Sequence, residues 1–532
     1  VADITKEQLG QEDILWETAG AGTGTGTTRT SSTGAVVPLN PVSSEHVPVL
    51  DAPVAHYLGA TGSSPFSKIT PATDRDVEEC LRDIRTHAYT AKNFEHYGGV
   101  PGSGKTQAVA QFNTSVWKTI EDELRVDGGG IVFFPSETYE FEEYAALAGL
   151  YATHCLPWNV PNTAFIGTPN TILQLRAGST GKGLMYFHGL TAPLALTNIM
   201  LADLQTSMNS VVGLDEIGFT GTGDYLDIRI YNVKTNSTGF NFANSNATNR
   251  VWLKDCSLFV GDIQMADVVN ATVQGNILSN GELAVSSSQG VTVAENWLAG
   301  TNRNIEITGA GSSDRDLTII NNRLTRGNIE LTRVAEAIVA KNQVFSGSID
   351  FTNATSAVSK ITITDNVVTA DSGDDVFCIR MNVTSEVSDV VVSRNRLNDA
   401  QEDALLLATN AALLKRGLVS ENLIHNPSRA LTNGHSGITV EALSGANTDG
   451  TQDFLIINNN IRSDTVGLLP AYGIEQNGAS TSFANTYVHH NYIRGYVTAA
   501  LTGASFLYPI YDAGGPVPTS LTAANIDGGA AP

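Results

Sequence analysis

Ten segments between residues 251 and 493 repeat one short pattern: VWLKDCSL, ATVQGNIL, VTVAENWL, LTIINNRL, AIVAKNQV, ITITDNVV, VVVSRNRL, GLVSENLI, LIINNNI and YVHHNYI. Apolar and polar residues alternate, an Asn follows in all but the first, and another apolar residue stands two positions on. The Asn residues are 276, 296, 322, 342, 366, 395, 422, 459 and 491, at steps of 20, 26, 20, 24, 29, 27, 37 and 32 residues. A constant motif with elastic spacing marks a solenoid whose strands are fixed and whose loops vary. Alternation over four or five residues gives a strand with one face inward, ended by the Asn at a turn. Stacked coils place each Asn over the next, so that their amides bond along a column as Asn ladders do in cross-β stacks. A second apolar segment follows most Asn sites, as in NIEITG, NIELTR, SIDFTN, VFCIRM, ALLLAT, GITVEA and YGIEQN. Two or three short strands per coil follow, with no helical stripe between them. The expected fold is an all-β parallel β-helix with coils about 4.8 Å apart.

Length fits this architecture, because stacked units run on as one body where 532 residues would otherwise suggest roughly three domains. The composition also fits: 50 Gly and only 16% charged residues suit strands and tight turns. The formal charge of −23 argues against duplex DNA or an anionic membrane as partner. Cys80, Cys155, Cys256 and Cys378 are far apart, with neither a disulfide framework nor zinc-ligand spacing, and read as small buried hydrophobes of a chain made in a reducing cytosol. The polar, acidic start VADITKEQLGQEDILWE is no signal peptide, and no apolar run is long enough to span a membrane. No cofactor and no metal are expected.

Residues 1–66 differ in character, with a Gly/Thr/Ser-rich stretch (20–41) leading to proline-punctuated segments that stay mobile or become ordered on a partner. TDRDVEECLRDI (73–84) reads as a short helix. A second helix follows at TQAVAQFNTSVWKTIEDEL, with Val109, Phe112, Val116, Ile120 and Leu124 as its apolar stripe. The expected organisation is an N-terminal region (1–66), a neck with two capping helices (67–130), the β-helix (131–510) and a short tail (511–532) with no large C-terminal domain.

Between the two helices, GGVPGSGKTQ (98–107) matches a phosphate-binding loop letter for letter, from Gly99 to Thr106. Such a loop needs an α/β setting and a strand ending in a magnesium-binding acid. Here IVFF (131–134) ends in Pro135 and Ser136, and β repeats follow, so no nucleotide is expected. The flanks resemble instead the entrance of the pectate-lyase-like right-handed parallel β-helix proteins found as bacteriophage tailspikes and tail fibres. Lys92 and Phe94 match the family's Val-Lys-Asp-Phe-Gly-Ala-like segment, and Thr106 and Ala108 its helix start. Gly128–Gly130, Val132, Phe134, Pro135 and Tyr139 match its Gly-Gly-Gly-x-Val-x-Phe-Pro-x-Gly-x-Tyr element. In FIGTPNTILQL (165–175), Gly167, Thr171 and Leu173 match its first full coil. The family's acidic pair falls on Gly104 and Lys105 and is lost here. The resemblance covers roughly residues 73–510.

Catalysis on a solenoid needs side chains of neighbouring coils to converge on one outer face. Counted from the ladder Asn of each coil, Asp374 and Asp375 stand at +8 and +9 from Asn366, and Glu402 and Asp403 at +7 and +8 from Asn395. These acids are expected at one corner of successive coils, about 5 Å apart. That separation suits a retaining glycosidase pair, and repulsion between them raises one pKa. Arg429 and His435 on the following coil are candidates for binding an anionic sugar, with the arginine also a possible lyase base. Read blandly, the same acids are solvated turn caps. GDD (373–375), GHSG (434–437) and NTDG (447–450) echo polygalacturonase-type hydrolases, but in the wrong order. His489 and His490 read as a corner filler rather than a metal site.

What the resemblance implies is a tailspike or tail fibre on the virion surface. Its N-terminal region joins tail or baseplate proteins, three copies pack side by side, and the β-helix binds and cleaves a host-surface polysaccharide by hydrolysis or elimination. A non-enzymatic adhesive fibre and a cellular polysaccharide lyase or hydrolase are the alternatives.

Overall fold

The computed structural model describes residues 91–502, apart from 148, 180–182, 189–195, 209–214, 220–223, 301–303, 310–314, 354–356, 371–375, 431–433, 444–449, 465–468, 478–482 and 497–498, together with short strands at 28–30, 36–38 and 526–527. The chain divides into two compact units, Val1–Thr90 and Ala91–Pro532. In the first, Thr28–Thr30 pairs antiparallel with Val36–Pro38. The helix expected at 73–84 lies outside the described residues.

In the second unit every described strand pairing is parallel, and the chain winds as a right-handed parallel β-helix. Each full coil has three strands. The first face runs from Ala91–Asn93 to Phe483–His489 and its strands lead into the Asn corner. The second holds the short strands just after that corner, from Thr138–Phe141 to Ile526–Asp527, and the third runs from Leu156–Trp158 to Ala499–Thr502. Register follows the sequence motif: the apolar residue two beyond each Asn stacks inward as Leu278, Leu298, Leu324, Val344, Val368, Leu397, Ile424, Ile461 and Ile493.

The Asn ladder runs unbroken from Asn276 to Asn491, and all nine side chains are buried. Asn342 is representative. Its Nδ2 donates back to the Ile319 carbonyl (2.9 Å) and forward to Asn366 Oδ1 (3.0 Å), while its Oδ1 accepts from the backbone N–H (2.9 Å) and the Nδ2 (3.0 Å) of Asn322. Every donor and acceptor of the amide is thus used, which is what makes a buried amide tolerable. Leu204, Val233 and Cys256 fill this place in earlier coils, and the ladder begins where the Cys256 N–H donates to Asn276 Oδ1. The residue before each ladder position turns the chain in the left-handed region, from Asp203 (φ 55°) through Lys341 (φ 56°) to His490 (φ 55°). His490 is therefore a corner residue, touching His489 through the Nδ1 atoms at 2.6 Å.

Helix α1 (Gln107–Asp127) packs on the first coils. Trp117 lies against Phe134, Trp158 and Phe165, with ring centroids 6.2, 4.9 and 5.2 Å away, and its Nε1 donates to the Pro157 carbonyl. The buried face differs from the expected stripe: Ala110, Asn113, Thr114 and Trp117 are inside, while Phe112 is half exposed. Polar residues win places there because they serve strand ends. Asn113 Nδ2 donates to the carbonyls of Val100 and Glu140, and Thr114 Oγ1 to that of Glu142. The matched entrance residues meet in one aromatic knot, with Phe94 5.1 Å from Phe134 and 5.2 Å from Tyr139. Gly129 (φ 128°) lies so close to the next coil that a Cβ would stand 2.4 Å from the Asn162 carbonyl oxygen.

Candidate functional site on the third face

The glycine loop at 98–107 does wrap an anion, but one belonging to the chain. The backbone N–H groups of Gly104 and Lys105 donate to Glu140 Oε1 (2.8 Å) and Oε2 (2.6 Å), and Glu140 is buried in the second-face strand Thr138–Phe141. A carboxylate occupies the place at the loop where a nucleotide would put a phosphate.

The sequence-predicted acids fare differently. Asp374 and Asp375 lie outside the described residues. Glu402 is half-buried in the turn entering third-face strand Leu405–Thr409, with its backbone tied to Val376 and Ser428. Arg429 pairs with Asp399, 3.3 Å away.

Asp403 and His435 do come together. Asp403 is 8% exposed, and its Oδ1 accepts from the Ser436 N–H (2.6 Å) and Thr439 Oγ1 (2.7 Å) of the next coil. Ser436 Oγ donates in turn to Glu475 Oε2 (2.6 Å), one coil further. Burial pushes the Asp403 carboxyl up to about 6, against those two hydrogen bonds and the nearby His435, and the charge of Glu475 adds to the rise. Both described hydrogen bonds to the carboxyl fall on Oδ1.

Asp403 lies on the coil of Leu406, beside a third-face column that carries acids on both sides of Arg380, Leu406 and Thr439. Along the third face, Glu306, Glu330, Asp350, Arg380, Leu406, Thr439 and Glu475 are register partners on successive coils. Glu330 accepts from Asn304 Nδ2 (2.8 Å), and Asp350 Oδ2 accepts from Ser348 Oγ and from Arg380, both at 3.1 Å. Burial raises the pKa of Glu330 and Asp350; Glu306 and Asp350 push Glu330 further, while Arg380 pulls Asp350 back. Glu441, one position beyond this column, is raised by burial and by Glu475. Sequence reasoning missed Glu475 and the other acids of this column, although their signal was present. In NIEITG, NIELTR, SIDFTN and YGIEQN the acid recurs at one phase between inward apolar residues. No group of three or more His, Cys, Asp or Glu among the described residues is arranged to hold a metal.

No family model matches the chain, and no curated protein matches it. Solved structures do. The A-module of the mannuronan C-5 epimerase AlgE6 from Azotobacter vinelandii is 14% identical, covering 83% of this chain and 99% of its own, with a TM-score of 0.42. Tailspike protein 3 of bacteriophage CBA120 is 11% identical over 85% of this chain and 62% of its own, with a TM-score of 0.37. A tailspike protein mutant of E. coli bacteriophage HK620, solved with a pentasaccharide, is 12% identical over 80% and 73%, with a TM-score of 0.37. These neighbours are parallel β-helix proteins. The fold assignment stands on the chain's own strand register rather than on these likenesses.

Proposed function

We propose that the protein binds a polysaccharide along its third face and hydrolyses it, as a tailspike or tail fibre attaching a virus to its host surface. One observation carries the catalytic part: a desolvated carboxyl, Asp403, keeps a proton up to about pH 6 beside a second carboxylate, Glu475, with Ser436 between them. Two coils separate the pair, about 9.6 Å of rise if the side chains ran parallel, and both lean toward Ser436. Both carboxylates hydrogen-bond to Ser436, so their nearest oxygens lie closer than that rise, and the proposed pair is an inverting one that admits a water beside Ser436. Asp403 gives its proton to the glycosidic oxygen as the C–O bond breaks. Glu475 takes a proton from the water that attacks the anomeric carbon. One water is consumed, two sugar ends are released, and the proton passes back to Asp403 through solvent. Glu402, on the same coil as Asp403, is proposed to shape the same cleft, with His435 on its wall; Asp374 and Asp375, outside the described residues, are proposed as further acids of the site.

The entrance motif, assembled here as the knot of Phe94, Phe134 and Tyr139, supports the tailspike reading, with residues 1–66 as the part that joins tail or baseplate proteins. The test is digestion of purified capsule or lipopolysaccharide with new reducing ends detected. Asp403→Asn is expected to lower the rate by about 100-fold or more with binding retained. Binding without any cleavage by the wild type would leave an adhesive fibre instead. Labelled antibodies on virus particles, seen by electron microscopy, check the tail location.

A further inference from the structure

The second face has a different chemistry from the rest of the surface. In a chain of net charge −23, none of the thirteen second-face strands from Ile172–Leu175 to Tyr492–Arg494 contains an Asp or Glu. They carry Lys234, Arg323, Arg396, Arg462 and Arg494, all exposed. Three cations outside the second face are matched by acids one coil away: Lys360 with Glu336 (2.8 Å), Arg394 with Asp365 (2.8 Å) and Arg416 with Asp389 (2.7 Å). On the second face only Arg462 has such a neighbour, Asp464 at the rim, 3.8 Å away. Lys234, Arg323, Arg396 and Arg494 pair with no carboxylate among the described residues.

Aromatic rings interleave with these cations. The Arg323 guanidinium lies 5.7 Å from the ring centroid of Trp297 on one side and 5.7 Å from that of Phe345 on the other. Trp297 is 44% exposed and Phe259, two coils before it, 62%. From Phe259 a groove of about 360 Å³ continues along the same face, lined among others by Gln174, Gln205, Lys234, Asn236 and Ser257. Rings to stack on, amides and hydroxyls to meet hydroxyl groups, and unpaired cations on one face, with Lys234, Arg323 and Arg396 in one register column and Arg494 in another, describe a ligand that is extended, polyhydroxylated and negatively charged.

We propose that the second face is a binding surface for an anionic, carboxylate-bearing polysaccharide, separate from the acidic strip of the third face. It stands whether or not the third face cleaves. A second copy of the chain fits it less well. The third-face carboxylates that would have to meet these cations are already engaged, Asp350 by Arg380 and Ser348, Glu330 by Asn304, and Glu475 by Ser436. The groove is also concave, which suits an inserted chain.

Calorimetric binding to the full-length protein tests this, with polygalacturonate and alginate as anionic probes, dextran as a neutral one and oligothymidylate as a nucleic acid. The anionic glycans are expected to bind at least tenfold tighter than dextran or oligothymidylate and to weaken with salt. The double variant Arg323→Ala/Arg396→Ala is expected to lose at least tenfold in affinity for them, while Arg394→Ala/Arg416→Ala, which removes the same charge from paired corner positions, binds as the wild type does. Arg323→Lys, which keeps the charge but not the planar stacking, falls between and serves if the double variant fails to fold. Equal loss in both double variants would overturn the proposal, as would equal binding of dextran or oligothymidylate. So would a lower oligomer mass in the Arg323→Ala/Arg396→Ala variant, because that result assigns the face to a second copy. Binding is read here without turnover, so failure of this surface and failure of the Asp403 reading are separate results.

Discussion

At the residue scale, two groups set testable behaviour. Asp403 has a pKa near 6 in the folded chain against 3.8 as its ordinary value. Between those values the folded state holds a proton that the unfolded state has released, so this group's stabilisation is full below about pH 4 and lost as pH rises through about 6. In urea unfolding, the wild type is expected to lose up to about 3 kcal/mol from this group between pH 4 and 7, and Asp403→Asn to remove that part of the pH dependence. In the proposed hydrolysis the same proton sets the alkaline limb, so kcat/KM should fall above about pH 6. Asn342 tests the ladder. Asn342→Ala leaves the Ile319 carbonyl and both Asn322 donors without partners in a buried column, and should lower unfolding stability by about 3 kcal/mol or more, read from the urea midpoint.

At the element scale, α1 holds the start of the solenoid through one side chain above all. Trp117→Ala removes a fully buried indole, its three ring contacts and the hydrogen bond to Pro157. It should cost about 3–5 kcal/mol, with the first melting step moving down in calorimetry. The elements were also where sequence reading succeeded and failed most plainly. The strands were legible because inward residues such as Leu298, Leu324 and Val344 recur at a fixed distance from each Asn, and so was the ladder itself. The stripe of α1 was legible at Val116, Ile120 and Leu124, which are buried, and misread at Phe112, because periodicity assigns it by hydropathy and ignores that Asn113 and Thr114 have carbonyls to satisfy. Asp403 and His435 were legible as one locality, since both stand near the entry of a third-face strand. Glu475 was missed although YGIEQN repeats the phase of NIEITG and NIELTR; its link to Asp403 through Ser436 was not legible, because loop lengths, which decide which coil reaches which, carry no periodic signal. Arg429 was placed by counting from Asn422, and counting says nothing of Asp399 lying closer.

At the scale of the whole molecule, a solenoid distributes its chemistry by face rather than by pocket. The described part divides into a first face of charge pairs, a second face without acids and a third face with an acidic strip, each maintained over many coils by register alone. The proposed tailspike reading calls for three chains side by side, for which sedimentation should give about three times 56.3 kDa; a mass of 56.3 kDa would reject it. The ladder also has a direction. From Asn276 onward, every ladder N–H and one amide hydrogen reach toward the coil that comes later in the chain. A ribosome releases the earlier coil first. Each finished layer therefore presents waiting donors to the segment still being synthesised, and the nascent chain is laid down on a template that it has made itself.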